Sequence, residues 1–424
     1  MNNLRSAIRQ LQNAPAFSFI AVMTLALGIG ANTAIFSVIN GVLLRPLPFD
    51  EPERLMRFYE RSANFPKASW AAGQFFSMHA DQTSFESVAA WQAANFNLST
   101  TGLDPERIEG AVVTADFLRV LKVSPAQGRF FNKNEFSPGQ DSVVVISHGL
   151  WQQRFAGDPN ILGRSLFISG RPRLVVGVMP DAFTFPGKAQ IWAPLAPTEE
   201  NRTRRDLHTL QAFGRRKPGV SVSAAQADLQ ALTTRYARDY PTTDADWACV
   251  GFPMLEEAVA QIRPALMVLL ASVVALLLIA CANVTNLLLA RAATRHREMS
   301  LRAALGASRA QIARQLLVEA LVYFAVGGFA GVIVGRTILA SLLAIAPATI
   351  PRLDQVYFDP RVLIFTSAIT LVTGLVFGMI PAWTSSRTDL TSALREGGHG
   401  AIAGRSRLRD GLVVIQVADR KSVV

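Results

Sequence analysis

Charged side chains are missing from three long stretches of this chain and nearly missing from a fourth, and nothing else in the sequence constrains its fold as strongly. Between Arg9 and Arg45 lie 35 consecutive uncharged positions, rich in Ala, Ile, Leu and Val from Phe17 to Leu44. Arg263 and Arg291 enclose 27 more, in which Ser272 is the only polar side chain of the run Ala265–Ala282. Arg361 and Arg387 enclose 25, interrupted late by Pro381. Leu316–Leu343 is similarly apolar but carries Glu319 and Arg336 towards its ends, where long side chains can reach out of hydrocarbon to the interface. A helix of 27 residues is about 40 Å long, against a hydrocarbon core of ~30 Å. All four segments are therefore transmembrane-helix candidates, since buried core helices of a soluble protein do not recur at this length.

Composition and charge placement then set the topology. Charged residues make up 17% of the 424 positions and hydrophobic ones 50%, which excludes a disordered or fibrous chain. The net charge of +11 is unevenly placed: residues 46–262 hold 22 Lys and Arg against 23 Asp and Glu, so the excess lies beside the apolar runs. The loop Arg291–Arg314 has six arginines and only Glu298, whereas Thr337–Arg361 balances two with two. Short arginine-rich loops stay in the cytoplasm, while long domains translocate largely regardless of charge. The expected arrangement has both termini cytoplasmic and residues 46–262 outside. The basic excess flanks lipid-embedded segments, so the lipid membrane is the expected partner, not nucleic acid. Arg5 and Arg9 before an apolar run and the small residues Gly28–Ala31 would also suit a signal peptide, but the run continues through Ile35, Val38, Val42 and Leu44. That exceeds a signal core and predicts an uncleaved helix.

Residues 46–262 have the texture of a mixed α+β domain. Val143–Ile146 reads as a strand, and Ser165–Met179 as two strands turned at Gly170, Arg171 and Pro172. Ser223 with Gln226 reads as a capping box opening a helix whose Ala225, Leu229, Leu232 and Tyr236 share one face. Trp70, Trp91, Trp151 and Trp192 are expected in the core and not in a ligand cage. Cys249 and Cys281, in different compartments of this topology, form no disulfide framework. His79, His148, His208, His296 and His399 are scattered, with no metal-binding spacing, and no hydrolase motif is found.

In the loop Arg295–Leu316, Gly306 interrupts a helical pattern and Ser308 with Gln311 restarts it. A short amphipathic helix would lie at the inner membrane surface, joined to two spans, where it could receive force from a cytoplasmic partner. Here the chain resembles the MacB/FtsX class of ABC-transporter permeases, and within it the acidobacterial-type duplicated permeases. The resemblance is carried by IACANVTNLLLARA (Ile279–Ala292), REMSLRAALGASR (Arg297–Arg309), SHGLWQQRFAGDP (Ser147–Pro159), VGVMP (Val176–Pro180), KPGVS (Lys217–Ser221) and the segment Pro381–Arg395.

The resemblance implies an α-helical membrane protein with four transmembrane helices and a large mixed α+β extracytoplasmic domain between helices 1 and 2. Its expected parts are a cytoplasmic tail and first helix (1–45), a MacB-like periplasmic core domain (46–262), an FtsX-like domain with helices 2–4 (263–386) and coupling loop (291–314), and a cytoplasmic C-terminal segment (387–424). It also implies that Glu298, Met299, Leu301, Arg302, Leu305, Gly306 and Ala307 face a separate cytoplasmic ABC ATPase dimer, and that the protein sits in the bacterial inner membrane. The chain has no GxxxxGK[ST] phosphate loop, so any ATP is bound by a partner subunit and no cofactor is expected here. Further expected partners are a second permease copy or half and periplasmic adaptor proteins. Gly327, Gly331 and Gly335, and Gly374 and Gly378, recur every four residues and offer close helix packing, within the chain or between two copies. Asn283 and Asn286 share a face of the second span and are expected to join helices sooner than to form a transport site. Arg405–Ala418 resembles the entry to a second half, and the charged residues that follow suggest that this half is truncated. The function implied is the transmission of ATP-driven motion to an outer domain that exports or handles a substrate, or regulates a cell-wall hydrolase. The alternative is a membrane-anchored enzyme or sensor acting through its outer domain.

Overall fold

The computed structural model describes residues 7, 9, 11–99, 105–181, 183–294, 307–347 and 352–386. The chain divides into two compact units, one of Met1–Arg45 with Val259–Val424, the other of Pro46–Ala258. The first helix, α1 (Pro15–Ile39), opens with a proline in its first turn, where the missing amide costs nothing. It runs directly into a π-turn, Asn40–Leu44.

The inserted unit is built on one sheet. Its strands are β1 (Leu55–Arg61), β2 (Trp70–Ala71), β3 (Phe85–Ser99), β4 (Glu106–Val113), β5 (Gln127–Gly128), β6 (Val143–Ile146), β7 (Ser165–Ile168), β8 (Arg171–Val178), β9 (Ile191–Pro194), β10 (His208–Arg216) and β11 (Ala248–Pro253). Their order is β11-β1-β10-β3-β4-β9-β6-β8-β5, with β2 on β10 and β7 joining β3 and β8. Only β4–β9 and β6–β8 pair in parallel among the described strands. Alternation along β10 places Leu210 and Ala212 on one face, with Phe75 and Met78 of α2 (Ala72–Asp81), while Phe213 joins Trp91, Phe117 and Trp192 on the other. A third cluster lies under α3 (His148–Phe155), where Leu150 and Trp151 meet Val144, Val175 and Val178. All four tryptophans named above are buried. Trp151 Nε1 donates to Asp158 O at 2.9 Å and Trp192 Nε1 to Phe185 O at 3.0 Å, so their rings are core with satisfied polar edges.

Two local expectations need correction. The β7–β8 hairpin exists, but its loop is Ser169–Gly170, both at positive φ, and Arg171 and Pro172 already belong to β8. Two left-handed residues twist as the flanking strands do, which a turn one residue later would not. The helix predicted at Ser223, α4 (Val222–Asp239), is instead capped by Ser221, whose Oγ accepts from Ala224 N at 3.1 Å. Gln226 is thereby free to reach the edge strand: its Nε2 donates to Cys249 O at 2.8 Å and its Oε1 accepts from Gly251 N at 2.6 Å. Ala225, Leu229, Leu232 and Tyr236 form the buried face, as their spacing predicts.

The remaining helices of the first unit are α5 (Arg263–Thr294), α6 (Arg309–Ile345) and α7 (Pro360–Ser386). With α1 they are four helices long and apolar enough to cross a membrane. The Ser308–Gln311 capping box opens α6 as predicted, Gln311 N donating to Ser308 Oγ at 3.3 Å and Ser308 N to Gln311 Oε1 at 2.9 Å. In the most apolar stretch of each, 56% of α1 is buried against 28% of α5, 39% of α6 and 22% of α7. So α1 is the central rod, around which Leu277, Cys281, Val284, Tyr323 and Phe324 pack on Ala21, Leu25 and Ile29. The outward stripes, Val268, Leu276 and Leu278 on α5 and Ile364, Leu371 and Val376 on α7, are exposed apolar surface suited to lipid. Glu319 departs from the snorkelling expectation. It is buried in the bundle, where its Oε1 accepts from Gln315 Nε2 at 3.1 Å, while Arg336 is exposed as expected.

Candidate functional site: glycine seams and polar joints of the helix bundle

Of the residues that the family resemblance assigns to an ATPase contact, Glu298, Met299, Leu301, Arg302, Leu305 and Gly306 lie outside the described residues. Ala307 is half-buried and stands just before the Ser308 cap. The expected second-half entry at Arg405–Ala418 also lies outside them. Among the described residues, the candidate site is the machinery holding the four helices in register.

The glycines form seams within this chain. A Cβ on Gly327 would stand 2.6 Å from Leu25 Cβ, one on Gly331 3.0 Å from Ile29 Cβ, and one on Gly335 3.0 Å from Gly30 O. This row of α6 therefore brings its backbone against α1. Gly374 and Gly378 do the same for α7 on α6, facing Phe324 and Ala320. Without a hydrophobic force between helices in lipid, such close van der Waals approach is a main source of association.

Polar groups bridge the same helices at mid-length. Asn32, fully buried on α1, donates from Nδ2 to Val273 O of α5 at 2.7 Å. Thr33 Oγ1 meets Thr366 Oγ1 of α7 at 3.0 Å, and Thr285 Oγ1 on α5, which donates to Cys281 O at 2.8 Å, lies 3.4 Å from Phe377 O of α7. Each of these side chains also bonds a carbonyl one turn back in its own helix, Gly28 O, Ile29 O, Val362 O or Cys281 O, so the cross-helix contacts add to bonds that need no neighbour. Asn283 is exposed on α5 and Asn286 half-buried; the buried polar side chain of that turn is Thr285 between them.

At each end α1 is held by a denser joint. Near its start, Arg291 Nη1 donates to Tyr323 OH at 2.6 Å, that hydroxyl stands 3.1 Å from Ser18 Oγ, and Ser18 Oγ donates to Leu11 O at 3.0 Å. The Arg291 guanidinium also lies 4.9 Å from the centre of the Phe17 ring, which meets Tyr323 edge-on. Three helices thus meet where α5 runs into the arginine-rich loop. At the other end, Asn40 Nδ2 donates to Asp359 Oδ2 at 3.0 Å, and Asp359 Oδ1 caps α7 by accepting from Val362 N at 3.1 Å. Arg352 donates from Nη1 to Val42 O at 3.0 Å and from Nη2 to Arg45 O at 2.6 Å, while Arg45 lies 4.1 Å over the Tyr357 ring. Spacing did not single out Ser18, Asn32, Tyr323, Arg352 or Asp359; the nearest signal was the run of uncharged polar residues Asn32, Thr33, Ser37 and Asn40 in an otherwise apolar helix.

The inserted unit has its own buried titratable pair. Glu60 on β1 is 1% exposed, stands 3.1 Å from His208 Nε2, and accepts from Ala71 N at 3.2 Å. The adjacent Glu60 carboxylate raises the His208 pKa, and burial raises that of Glu60. His208 also stacks on Trp247 at 4.3 Å. Cys249 and Cys281 are both free and buried. Among the described residues no cluster of three or more His, Cys, Asp or Glu could hold a metal ion.

The family model described as the MacB-like periplasmic core domain matches residues 18–232, and that of the FtsX-like permease C-terminal domain matches residues 270–390. Among curated proteins the chain is similar to the macrolide export ATP-binding/permease protein MacB of Escherichia coli O157:H7, 26% identical over 287 residues, covering 66% of this chain and 42% of that protein. It is similar to the same protein of Shigella flexneri at 25% identity with the same coverage. The chain thus spans less than half the length of the curated relatives it matches. Among solved structures it is similar to the periplasmic region of MacB from Actinobacillus actinomycetemcomitans, 13% identical, TM-score 0.37, over 53% of this chain and 97% of that one. A domain of a putative permease from Porphyromonas gingivalis gives 15% identity and a TM-score of 0.39, over 49% of this chain and 93% of that one. Four apolar helices, a mixed α/β domain inserted between the first and second of them, and the two family matches lead to one assignment: the chain belongs to the MacB/FtsX family of ABC-transporter permeases.

Proposed function

We propose that this chain is a membrane subunit that passes motion from a separate cytoplasmic ABC ATPase dimer to its inserted domain, for export or extracytoplasmic handling of a substrate. The observation that carries the reading is the construction of α1. It is the most buried span, seamed to α6 by glycines, and tied at its start to the end of α5, from which the loop 291–314 departs. A rod held this way takes up movement of its neighbours. In this reading Glu298, Met299, Leu301, Arg302, Leu305, Gly306 and Ala307 contact the ATPase from the cytoplasmic side, both termini are cytoplasmic, and residues 46–262 work outside. A second permease copy or half completes the assembly, and a periplasmic adaptor is a further partner. In this reading ATP is bound by the partner, in keeping with the lack of a GxxxxGK[ST] motif in the given sequence.

The test is co-expression with candidate ABC ATPases, measuring complex formation and ATP turnover. The wild-type chain is expected to bind one and raise its turnover. Replacing Glu298 and Arg302 by Ala is expected to abolish the increase while leaving the chain folded. Absence of a complex with every candidate, or labelling of residues 295–306 from the outer side, would refute the reading.

A further inference from the structure

We propose that the π-turn Asn40–Leu44 is a register switch, latched by the connector between α6 and α7. The inference deepens the transmission reading and rests on it. A π-turn holds one residue more per hydrogen-bonded turn than an α-helix, is rare, and is frequent at functional sites. Here Arg45 N donates to Asn40 O, five residues back, at 2.9 Å. Such a turn persists where its surroundings over-determine it. Residues 352–359 supply that determination at four points. Asp359 holds the Asn40 side chain, and both are almost fully buried. Val356 fills the space over Gly41, where a Cβ would stand 2.8 Å from Val356 Cγ2 and 2.9 Å from its Cα. Arg352, at φ +64, takes the carbonyls of Val42 and Arg45, and Gln355 O accepts from Arg45 Nη1 at 3.1 Å.

The grip and the α7 cap share one residue. Asp359 accepts from Asn40 with one carboxylate oxygen and from Val362 N with the other. A shift of the α6–α7 end relative to α1 therefore releases Asn40, Gly41 and the two carbonyls together. Released, the segment closes as ordinary α-helix, and everything after it advances by about one residue, ~100° of rotation and ~1.5 Å of rise. The chain leaving the membrane helix at Arg45 then turns as well as translates. Movement of two helices becomes rotation of the strand of chain that enters the inserted domain.

The test uses the full chain in lipid nanodiscs without any ATPase, so its outcome is independent of whether a motor partner exists. In a background with Cys249→Ala and Cys281→Ala, single cysteines replace Val42, Leu43 and Leu44 in turn, and their labelling by a water-soluble maleimide is timed. Leu44 is exposed at 54%, Leu43 half-buried and Val42 buried, so position 44 labels fastest in the latched form. Arg352→Gln removes the carbonyl grip and Gly41→Ala forces the connector away. Both keep the apolar spans, and a thermal melt checks that they fold. With either substitution the fastest position is expected to move from 44 to 43. An unchanged order in both variants, or loss of any order among the three positions, would overturn the switch and leave the connector as a plain helix cap.

Discussion

At the residue scale the informative group outside the membrane helices is the Glu60–His208 pair. The folded pKa of His208 is raised by the Glu60 carboxylate beside it, so its contribution is fully present below the unfolded imidazole value, near 6.5, and is lost as pH rises through the folded value. The folded pKa of Glu60 is raised by burial, which gives the same sign: proton uptake favours the folded state. Asp244, nearly fully buried, and a backbone hydrogen bond from His208 to Asp206 also favour the protonated imidazole, while Arg205 is committed to Asp244 and the Asp206 carboxylate to Arg204. The thermal midpoint of the full chain is therefore expected to fall between pH 6 and pH 8. His208→Gln should flatten that slope, measured by tryptophan fluorescence, which reports Trp247 stacked on the same ring. A slope unchanged in the variant would mean that the pair carries no pH dependence. In the sequence His208 is only one of five scattered histidines, because its partner lies 148 residues earlier on the neighbouring strand β1, a pairing no local pattern encodes.

At the element scale the glycine rows were readable, and their partners were not. Recurrence at every fourth position shows that one face of a helix is smooth, a strictly local property; which helix lies on it depends on contacts some 300 residues apart, such as Gly327 on Leu25. The spans themselves were legible because hydrocarbon demands about 20 apolar residues in a row, a requirement satisfied before any tertiary contact forms. Glu319 was misread for the converse reason, since its burial is set by how α6 packs and by Gln315 one turn earlier. The seam predicts a contrast between two glycines. Gly327→Ala puts a methyl 2.6 Å from Leu25 Cβ and is expected to cost about 1–3 kcal/mol through overpacking. Gly149→Ala, in the first turn of α3 with only Ser147 Oγ near at 3.9 Å, is expected to be neutral or to stabilise by up to about 1 kcal/mol. Chemical or thermal unfolding of the two variants decides it, and equal effects would mean that the seam is loose enough to yield.

For the whole molecule the question is whether the joints carry motion or only hold helices together, and one hydroxyl separates the two. Tyr323→Phe keeps the ring against Phe17 but removes the oxygen that joins Arg291 of α5 to Ser18 of α1. Ser272→Ala removes a hydroxyl of the same helix bundle that only donates to Val268 O within α5 and is exposed on the apolar face. A bridging hydrogen bond in a membrane helix bundle contributes about 0.6 kcal/mol, and at most ~1.7. Glue alone would therefore give a small loss of stability in Tyr323→Phe, none in Ser272→Ala, and no change in function for either. If motion of the loop after Arg291 reaches α1 through this joint, Tyr323→Phe should still bind the proposed ATPase, because the residues proposed to meet it, between Glu298 and Ala307, are untouched, yet lose most of the turnover expected of the wild-type chain. Ser272→Ala should retain it. Wild-type turnover in Tyr323→Phe would mean that force enters α1 along the glycine seam of α6 instead, and the same assay on Gly327→Ala would then show the loss.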